Sequence, residues 1–361
     1  MRVGILILDA FDISVASLTR PLAERGYETA AALYAGDDFV GAAHCLTEMS
    51  DALLVCGNTA RFVEWLGESY DIGEKPDVFS VGDKSYALCE KPDAAFIENT
   101  VVPMLNAGCR TFYTTARFRT FGRTEAELRE RLKDLIKNRN RIVFDFYPSL
   151  CECEVTMRYS SKTAKASVDD MIAEVATRLK DCTYAFDDKS LAETVSDLLK
   201  VRGRRLCLAE SFTGGAIAAA LTAVPGASSY LYEGIVCYAP EAKTDRLGVD
   251  KNIIDTYGAV SIETVYEMAA GLLMRGKGDI VVATTGNAGP TAEKEGDVGH
   301  CFLAVGDAAG IHIYEYRFSG SRAEVIESGV KHALFRLYKK LRQNEFEELL
   351  KAQEAKEREK A

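Results

Sequence analysis

Arg205-Leu-Cys-Leu-Ala-Glu-Ser-Phe-Thr-Gly-Gly215 is the stretch from which the fold can be read. Its first part, Arg205–Glu210, reads as a strand around the short apolar run Leu206-Cys-Leu-Ala209. Its second part holds a serine, a threonine and two adjacent glycines. It leads into Ala216-Ile-Ala-Ala-Ala-Leu221, a helix-forming run. A buried strand passing through a tight loop into a helix is the repeating unit of an α/β fold. The same pattern continues on both sides. A helix is predicted over Leu191–Val201. Strands are predicted over Gly234–Tyr238, Asp279–Thr284, Cys301–Gly306 and Ile311–Phe318, and helices over Glu241–Leu247 and Ser261–Arg275. The last two strands are close enough for a hairpin around Asp307–Gly310. A final helix carries Val325, Ile326, Val330, Leu334, Leu337 and Leu341, an apolar stripe that must face a sheet. Residues 188–342 therefore read as an α/β/α unit, followed by a charged helical tail over 343–361.

The preceding chain divides in two. Strands at Val3–Leu8, Tyr27–Tyr34 and Ala52–Cys56 alternate with helices at Ser14–Arg25, Asp38–Met49 and Lys91–Ala107. This predicts a three-layer α/β domain over 1–108 with a mostly parallel sheet, interrupted by the polar stretch Gly67–Asp77. Over 109–187 the order is strand (Cys109–Phe118), helix (from Thr124 to Lys137), two strands (Arg141–Tyr147, Glu152–Tyr159) and a helix (Ser167–Leu179). That order suits a small α+β module. Thr124 and Glu127 have the spacing of a capping box.

Composition agrees with a globular chain of two or three domains at roughly 150 residues each: 361 residues, 47% hydrophobic and 27% charged. The net charge of -10, from 44 bases and 54 acids, argues against nucleic acid as a partner. No apolar run approaches the roughly 18 residues of a membrane span. The opening run before Asp9 is too short for a secretion signal. Ten cysteines form no C-x-x-C pair, and the four histidines are scattered. These features predict reduced thiols in the cytoplasm, with no metal site and no cofactor.

Two glycine loops carry the candidate chemistry. In the first, Ser211 follows a strand end, Thr213 adds a hydroxyl, and Gly214 and Gly215 open the start of a helix. N–H groups left uncovered there favour an anion, either a phosphate or a developing oxyanion. The bland reading is a helix cap and a tight turn. In the second, Thr284-Thr-Gly-Asn-Ala-Gly-Pro-Thr291, Gly286 and Gly289 permit close backbone approach to a ligand, or simply a structural turn. The loop matches neither dinucleotide nor P-loop fingerprints. Between them, Val236-Cys-Tyr-Ala-Pro-Glu-Ala-Lys243 runs from strand to helix. Tyr238 and Lys243 can both project near the strand end, and a desolvated lysine beside a serine can act as its base. Taken alone, Lys243 and Arg322 both read as solvated surface residues.

Together these pieces resemble the CinA C-terminal domain. The resemblance rests on Glu210-Ser-Phe-Thr-Gly-Gly215, Tyr238-x-x-x-x-Lys243, Leu247-Gly-Val249, Gly258-Ala-Val-Ser261, Thr285-Gly-x-Ala-Gly-Pro290, Val298-Gly299 and Gly320-x-Arg322. That family contains nicotinamide-nucleotide amidases. The resemblance implies hydrolysis of the carboxamide of nicotinamide mononucleotide, with Ser211 as nucleophile, Lys243 as base and Tyr238 assisting. Thr213, Gly214, Gly215, Thr285, Gly286, Gly289 and Arg322 would hold the nucleotide. It also implies a homo-oligomer, with Tyr230, Leu231 and Tyr232 either in an interface or in the core. Phe212 stands where the family usually has cysteine, and Asn287 where it has isoleucine. Acidic residues Glu293, Glu295 and Asp297 follow, so weaker phosphate binding is expected. Residues 1–108 resemble, more loosely, the molybdopterin-binding-like domain of full-length relatives. Cys56-Gly-Asn-Thr-Ala60 replaces that domain's glycine-rich loop, so the unit reads as a degenerate scaffold or dimerisation domain. Two other functions compete: a non-catalytic nucleotide-binding or competence-associated interaction protein, and, with less support, an ADP-ribose pyrophosphatase.

Overall fold

The computed structural model describes residues 1–37, 39–70, 77–107, 113–137, 142–291 and 297–358, with side chains through Gln343. The chain forms two compact α/β units. The first comprises Met1–Ala116, Leu132–Asp145 and Thr156–Arg178. Its sheet has the order β2-β1-β3-β5-β4, where β1 is Arg2–Leu8, β2 Glu28–Ala35, β3 Ala52–Gly57, β4 Val78–Val81 and β5 Lys84–Cys89. β1 runs parallel to β2 and β3, β3 runs parallel to β5, and β4 turns back antiparallel. Side chains alternate between two covered faces. Val3, Ile5 and Ile7 pack with Leu18, Leu22, Ile97 and Val101. Leu6 and Leu8 pack with Phe39, Leu46, Phe62 and Leu66. The β4–β5 hairpin and the helix Thr59–Gly67 were not anticipated from sequence. In the altered loop Cys56–Ala60, Gly57 has φ +84° and lies so close to the Leu8 carbonyl oxygen that a Cβ would sit 2.1 Å from it. Beside it, Arg61 pairs with Asp9 at 2.7 Å.

A four-stranded sheet has the order β7-β8-β6-β9, with β6 Tyr113–Phe121, β7 Ile142–Ser149, β8 Glu152–Ser160 and β9 Thr183–Ala185. The predicted strand beginning at Cys109 is described only from Tyr113, its earlier residues lying outside the described residues. The capping box at Thr124 and Glu127 forms in both directions, with N···O distances of 2.8 and 3.3 Å.

The second unit comprises Arg117–Arg131, Phe146–Val155 and Leu179–Ala361. Its sheet has the order β11-β10-β12-β13-β14, with β10 Leu206–Glu210, β11 Leu231–Val236, β12 Ile280–Gly286, β13 His300–Asp307 and β14 Gly310–Arg317. β10 lies between parallel neighbours β11 and β12, while β13 and β14 form the antiparallel hairpin expected from sequence. Alternation again separates two layers. Leu206, Leu208, Ile280 and Val282 face the helices Leu191–Val201, Ala216–Thr222 and Arg322–Arg358. Cys207, Ala209, Val281 and Ala283 face the helices Pro240–Leu247 and Ile262–Met274. Full burial on both faces explains why these strands read as unbroken apolar runs.

One register differs from the sequence reading. The strand expected at Gly234–Tyr238 lies at Leu231–Val236. Tyr230 is core, 1% exposed, with its hydroxyl 2.6 Å from Ser196 Oγ, whereas Tyr232 is half-exposed. The Tyr230–Tyr232 cluster is therefore divided between core and surface.

Candidate active site

The site begins where β10 ends. The N–H of Ser211 still donates to the Thr284 carbonyl at 3.1 Å, so the serine is held by one ladder bond beyond the strand. The chain then turns, with Gly214 donating to the Ser211 carbonyl at 2.9 Å. Gly214 and Gly215 have φ of +61° and +97°, a consecutive left-handed pair that residues with a Cβ rarely adopt. The helix Ala216–Thr222 follows at once.

The helix start is not open to a ligand, which corrects the expectation for Gly214 and Gly215. Glu210, 1% exposed, folds its carboxylate over the turn. It accepts from the N–H groups of Gly215 at 3.0 Å, Ile217 at 3.1 Å and Ala218 at 2.9 Å. The protein's own anion occupies the place expected for a substrate phosphate. Thr213 is buried too, its hydroxyl 2.9 Å from that of Thr284 rather than free for substrate. Among the described residues, the N–H groups of Phe212 and Thr213 meet no protein acceptor. These two donors flank the serine on its C-terminal side, where an oxyanion can be received.

Replacing Glu210 with alanine should destabilise the fold by about 2–3 kcal/mol, because three helix-start N–H groups lose their acceptor together. Urea unfolding monitored by circular dichroism measures this. A loss below about 0.5 kcal/mol, the floor for removing even one cap, contradicts the assignment.

Lys243 contradicts its solitary reading as a surface residue. Carried on the first turns of the helix Pro240–Leu247, it is 1% exposed. Its Nζ stands 3.1 Å from Ser211 Oγ and donates to the carbonyls of Cys237 at 2.8 Å and Tyr238 at 3.2 Å. Among the described residues it pairs with no carboxylate. Burial therefore pushes its pKa down, and the opposing influence of Cys237 and Glu241 is the smaller. A neutral amine has two N–H bonds and one lone pair. If the two carbonyls take the N–H bonds, the lone pair faces the serine hydroxyl. Cys237, in the same wall, is no rival nucleophile, because burial raises its thiol pKa.

Tyr238 reaches the lysine through its backbone carbonyl. Its half-exposed phenol instead accepts from Arg322 Nη2 at 2.9 Å. Arg322 also donates to the Gly289 carbonyl at 2.6 Å, joining the second glycine loop to Tyr238. Thr285 is fully buried and donates to the Ala259 carbonyl at 2.6 Å, so its side chain is turned away from ligand duty. Gly286 is required by packing, since a Cβ there would lie 2.5 Å from Cys301 Sγ. A cavity of about 260 Å³ beside this loop is lined by Asp255, Tyr257, Gly258, Asn287 and Asp297, among others. Its two carboxylates disfavour a phosphate. Glu293 and Glu295 lie outside the described residues. Among the described residues, no group of three or more His, Cys, Asp or Glu could share a metal ion. No helix there is long and apolar enough to cross a membrane.

Sequence reasoning missed Glu210 as a cap, Thr284 as the residue tethering the serine turn, and the carbonyls of Cys237 and Tyr238. The apolar run through Glu210 signalled only a strand.

Comparison with known proteins finds similarity in this unit and, for the curated relatives, over about two thirds of the chain. Residues 188–341 match the model of the CinA C-terminal domain. A Caldicellulosiruptor saccharolyticus protein whose name refers to competence and damage induction is 34% identical over 241 residues, covering 66% of this chain and 59% of that protein. The chain spans about six tenths of the length of the curated relatives it matches. A CinA superfamily protein of Klebsiella pneumoniae is 34% identical, covering 42% of this chain and 96% of that chain, with a TM-score of 0.41. A competence/damage inducible protein of Agrobacterium tumefaciens is 37% identical, covering 41% and 91%, with a TM-score of 0.40.

Proposed function

The chain belongs to the CinA family, and from that premise we propose that it is an amidase. Its substrate is nicotinamide mononucleotide, and its products are nicotinate mononucleotide and ammonia. The observation that carries this reading is the 3.1 Å approach of the buried Lys243 Nζ to Ser211 Oγ. Amide hydrolysis needs an activated oxygen nucleophile, donors for the oxyanion and a proton for the leaving nitrogen. Ser211 Oγ attacks the carboxamide carbon while Lys243 takes its proton. The N–H groups of Phe212 and Thr213 receive the oxyanion. The Lys243 ammonium then protonates the departing nitrogen, which leaves as ammonia. Water, deprotonated by the same amine, releases the acid from Ser211. The sum is one amide plus one water giving one acid and one ammonia, and no step is assigned to a metal or cofactor.

The phosphate falls to Arg322. Glu210 fills the first glycine loop, and Asp255 and Asp297 line the cavity beside the second. Arg322 is exposed and keeps N–H groups beyond the two bonded to Gly289 and Tyr238. Tyr238 is then an orienting partner of Arg322 and, through its carbonyl, of Lys243. The reading includes a cytoplasmic homodimer.

The test is ammonia release from nicotinamide mononucleotide by the full chain in the presence of a chelator, with nicotinate mononucleotide identified by mass. Stoichiometric formation of both products supports the assignment. Thermal stabilisation by the nucleotide with no product transfers the site to the non-catalytic binding reading. Gel filtration at two concentrations tests the dimer, and a monomer at both removes it.

A further inference from the structure

The helix that begins at Arg322 meets the serine turn two turns further on, at Gly329. Gly329 lies in its interior, where glycine is the poorest residue short of proline. The reason is contact. A Cβ at Gly329 would lie 2.4 Å from Phe212 Cζ, 2.5 Å from Phe212 Cε2 and 3.5 Å from Thr213 Cγ2. The first two distances are far inside ordinary carbon contact. The Phe212 ring, 3% exposed, thus fills the space that a side chain at 329 would take. Phe212 sits between Ser211 and Thr213, and its backbone belongs to the turn closed by Gly214 on Ser211. The turn is also held where Ser211 and Thr213 meet Thr284. The large ring packs against the one position of the helix that has no side chain there.

We propose that Gly329 is a positioning residue for Ser211: its missing side chain is the slot that seats Phe212 and so sets the serine hydroxyl against Lys243. This deepens the amidase reading and rests on it for the catalytic readout. The residue touches neither substrate nor reacting atoms, and nothing in the loop motifs reveals it.

The test uses four proteins: wild type, Gly329→Ala, Phe212→Leu and the double variant. Leucine lacks the two ring atoms, Cζ and Cε2, that collide with a new Cβ. Gly329→Ala should lower kcat by about 10²-fold with KM little changed, because a displacement of about 1 Å at a nucleophile costs that much. Adding Phe212→Leu to Gly329→Ala should restore at least about tenfold of the loss. Thermal midpoints of the four proteins should be non-additive in the same sense. Should Gly329→Ala fail to fold, folding of the double variant is the rescue that supports the slot.

Wild-type kcat in Gly329→Ala overturns the proposal. So does a loss that Phe212→Leu leaves unrepaired, or additive thermal midpoints. If wild type proves inactive on nicotinamide mononucleotide, the amidase reading fails by itself. The thermal cycle still decides whether residues 212 and 329 share one space.

Discussion

Ser211→Ala is expected to lower turnover of nicotinamide mononucleotide by at least about 10⁴-fold, while binding of the nucleotide stays within a few-fold of wild type. The magnitude follows from what the hydroxyl does: without it no covalent acyl intermediate forms. What remains is the oxyanion donors and positioning, which in serine hydrolases give only a small part of the acceleration. A 10⁴-fold loss corresponds to about 5.5 kcal/mol of transition-state stabilisation. The fold should survive. The backbone N–H of Ser211, not its hydroxyl, ties the turn to Thr284, and alanine fits a site that is 7% exposed. Steady-state ammonia release and isothermal titration with the nucleotide measure the two halves. Turnover within tenfold of wild type defeats the role assigned to Ser211.

Lys243→Met should lower turnover by about 10³-fold, within the range usual for removing a positioned general base. Methionine keeps the length and apolar bulk of the buried stem but cannot take a proton. The same variant carries a pH signature. Burial lowers the pKa of Lys243 in the folded state below its unfolded value of about 10.4. Between those two values the unfolded chain holds a proton that the folded chain does not, so stability rises with pH. At pH below the folded value both states are protonated, and the full cost of burying the ammonium is present. Above about 10.4 both are neutral and the cost is gone. Wild type should therefore gain stability relative to Lys243→Met as pH rises towards 10.4, and thermal unfolding of both proteins across that window measures it. A difference independent of pH, or one of opposite sign, contradicts a depressed lysine pKa.

The layered core was legible because burial on both faces leaves a simple pattern. Leu206–Ala209 and Ile280–Ala283 are apolar throughout, and in the terminal stripe Val325, Val330, Leu334, Leu337 and Leu341 are buried as their spacing required, with Ile326 partly buried. The β4–β5 hairpin was missed because its strands are short and only partly covered, though Gly82-Asp83 is a turn dipeptide. The edge strand β11 was displaced in register because half of it is exposed, so burial does not dictate its alternation.

At the candidate site, the sequence singled out Ser211 and Lys243 but not the groups that surround them. Nothing in Pro-Glu-Ala-Lys distinguishes a solvated lysine from a buried one. The distinction lies in two carbonyls at the end of β11. The glycine pair announced free N–H groups, but sequence cannot say which acceptor takes them. Glu210, five residues before Gly215, reaches forward and takes three N–H groups of the helix start. Phe212 signalled altered packing, but the compensating bare position at 329 emerges only in three dimensions.

The central claim is that Ser211 is activated by a neutral, buried Lys243. Its most direct test is the pH dependence of covalent labelling of Ser211 by a fluorophosphonate, with the modified residue identified by mass spectrometry. The labelling rate should rise with a single inflection below the ordinary lysine value of about 10.4, and Lys243→Met should abolish that inflection. Labelling that is absent in wild type, or that follows the same pH curve in Lys243→Met, contradicts the account.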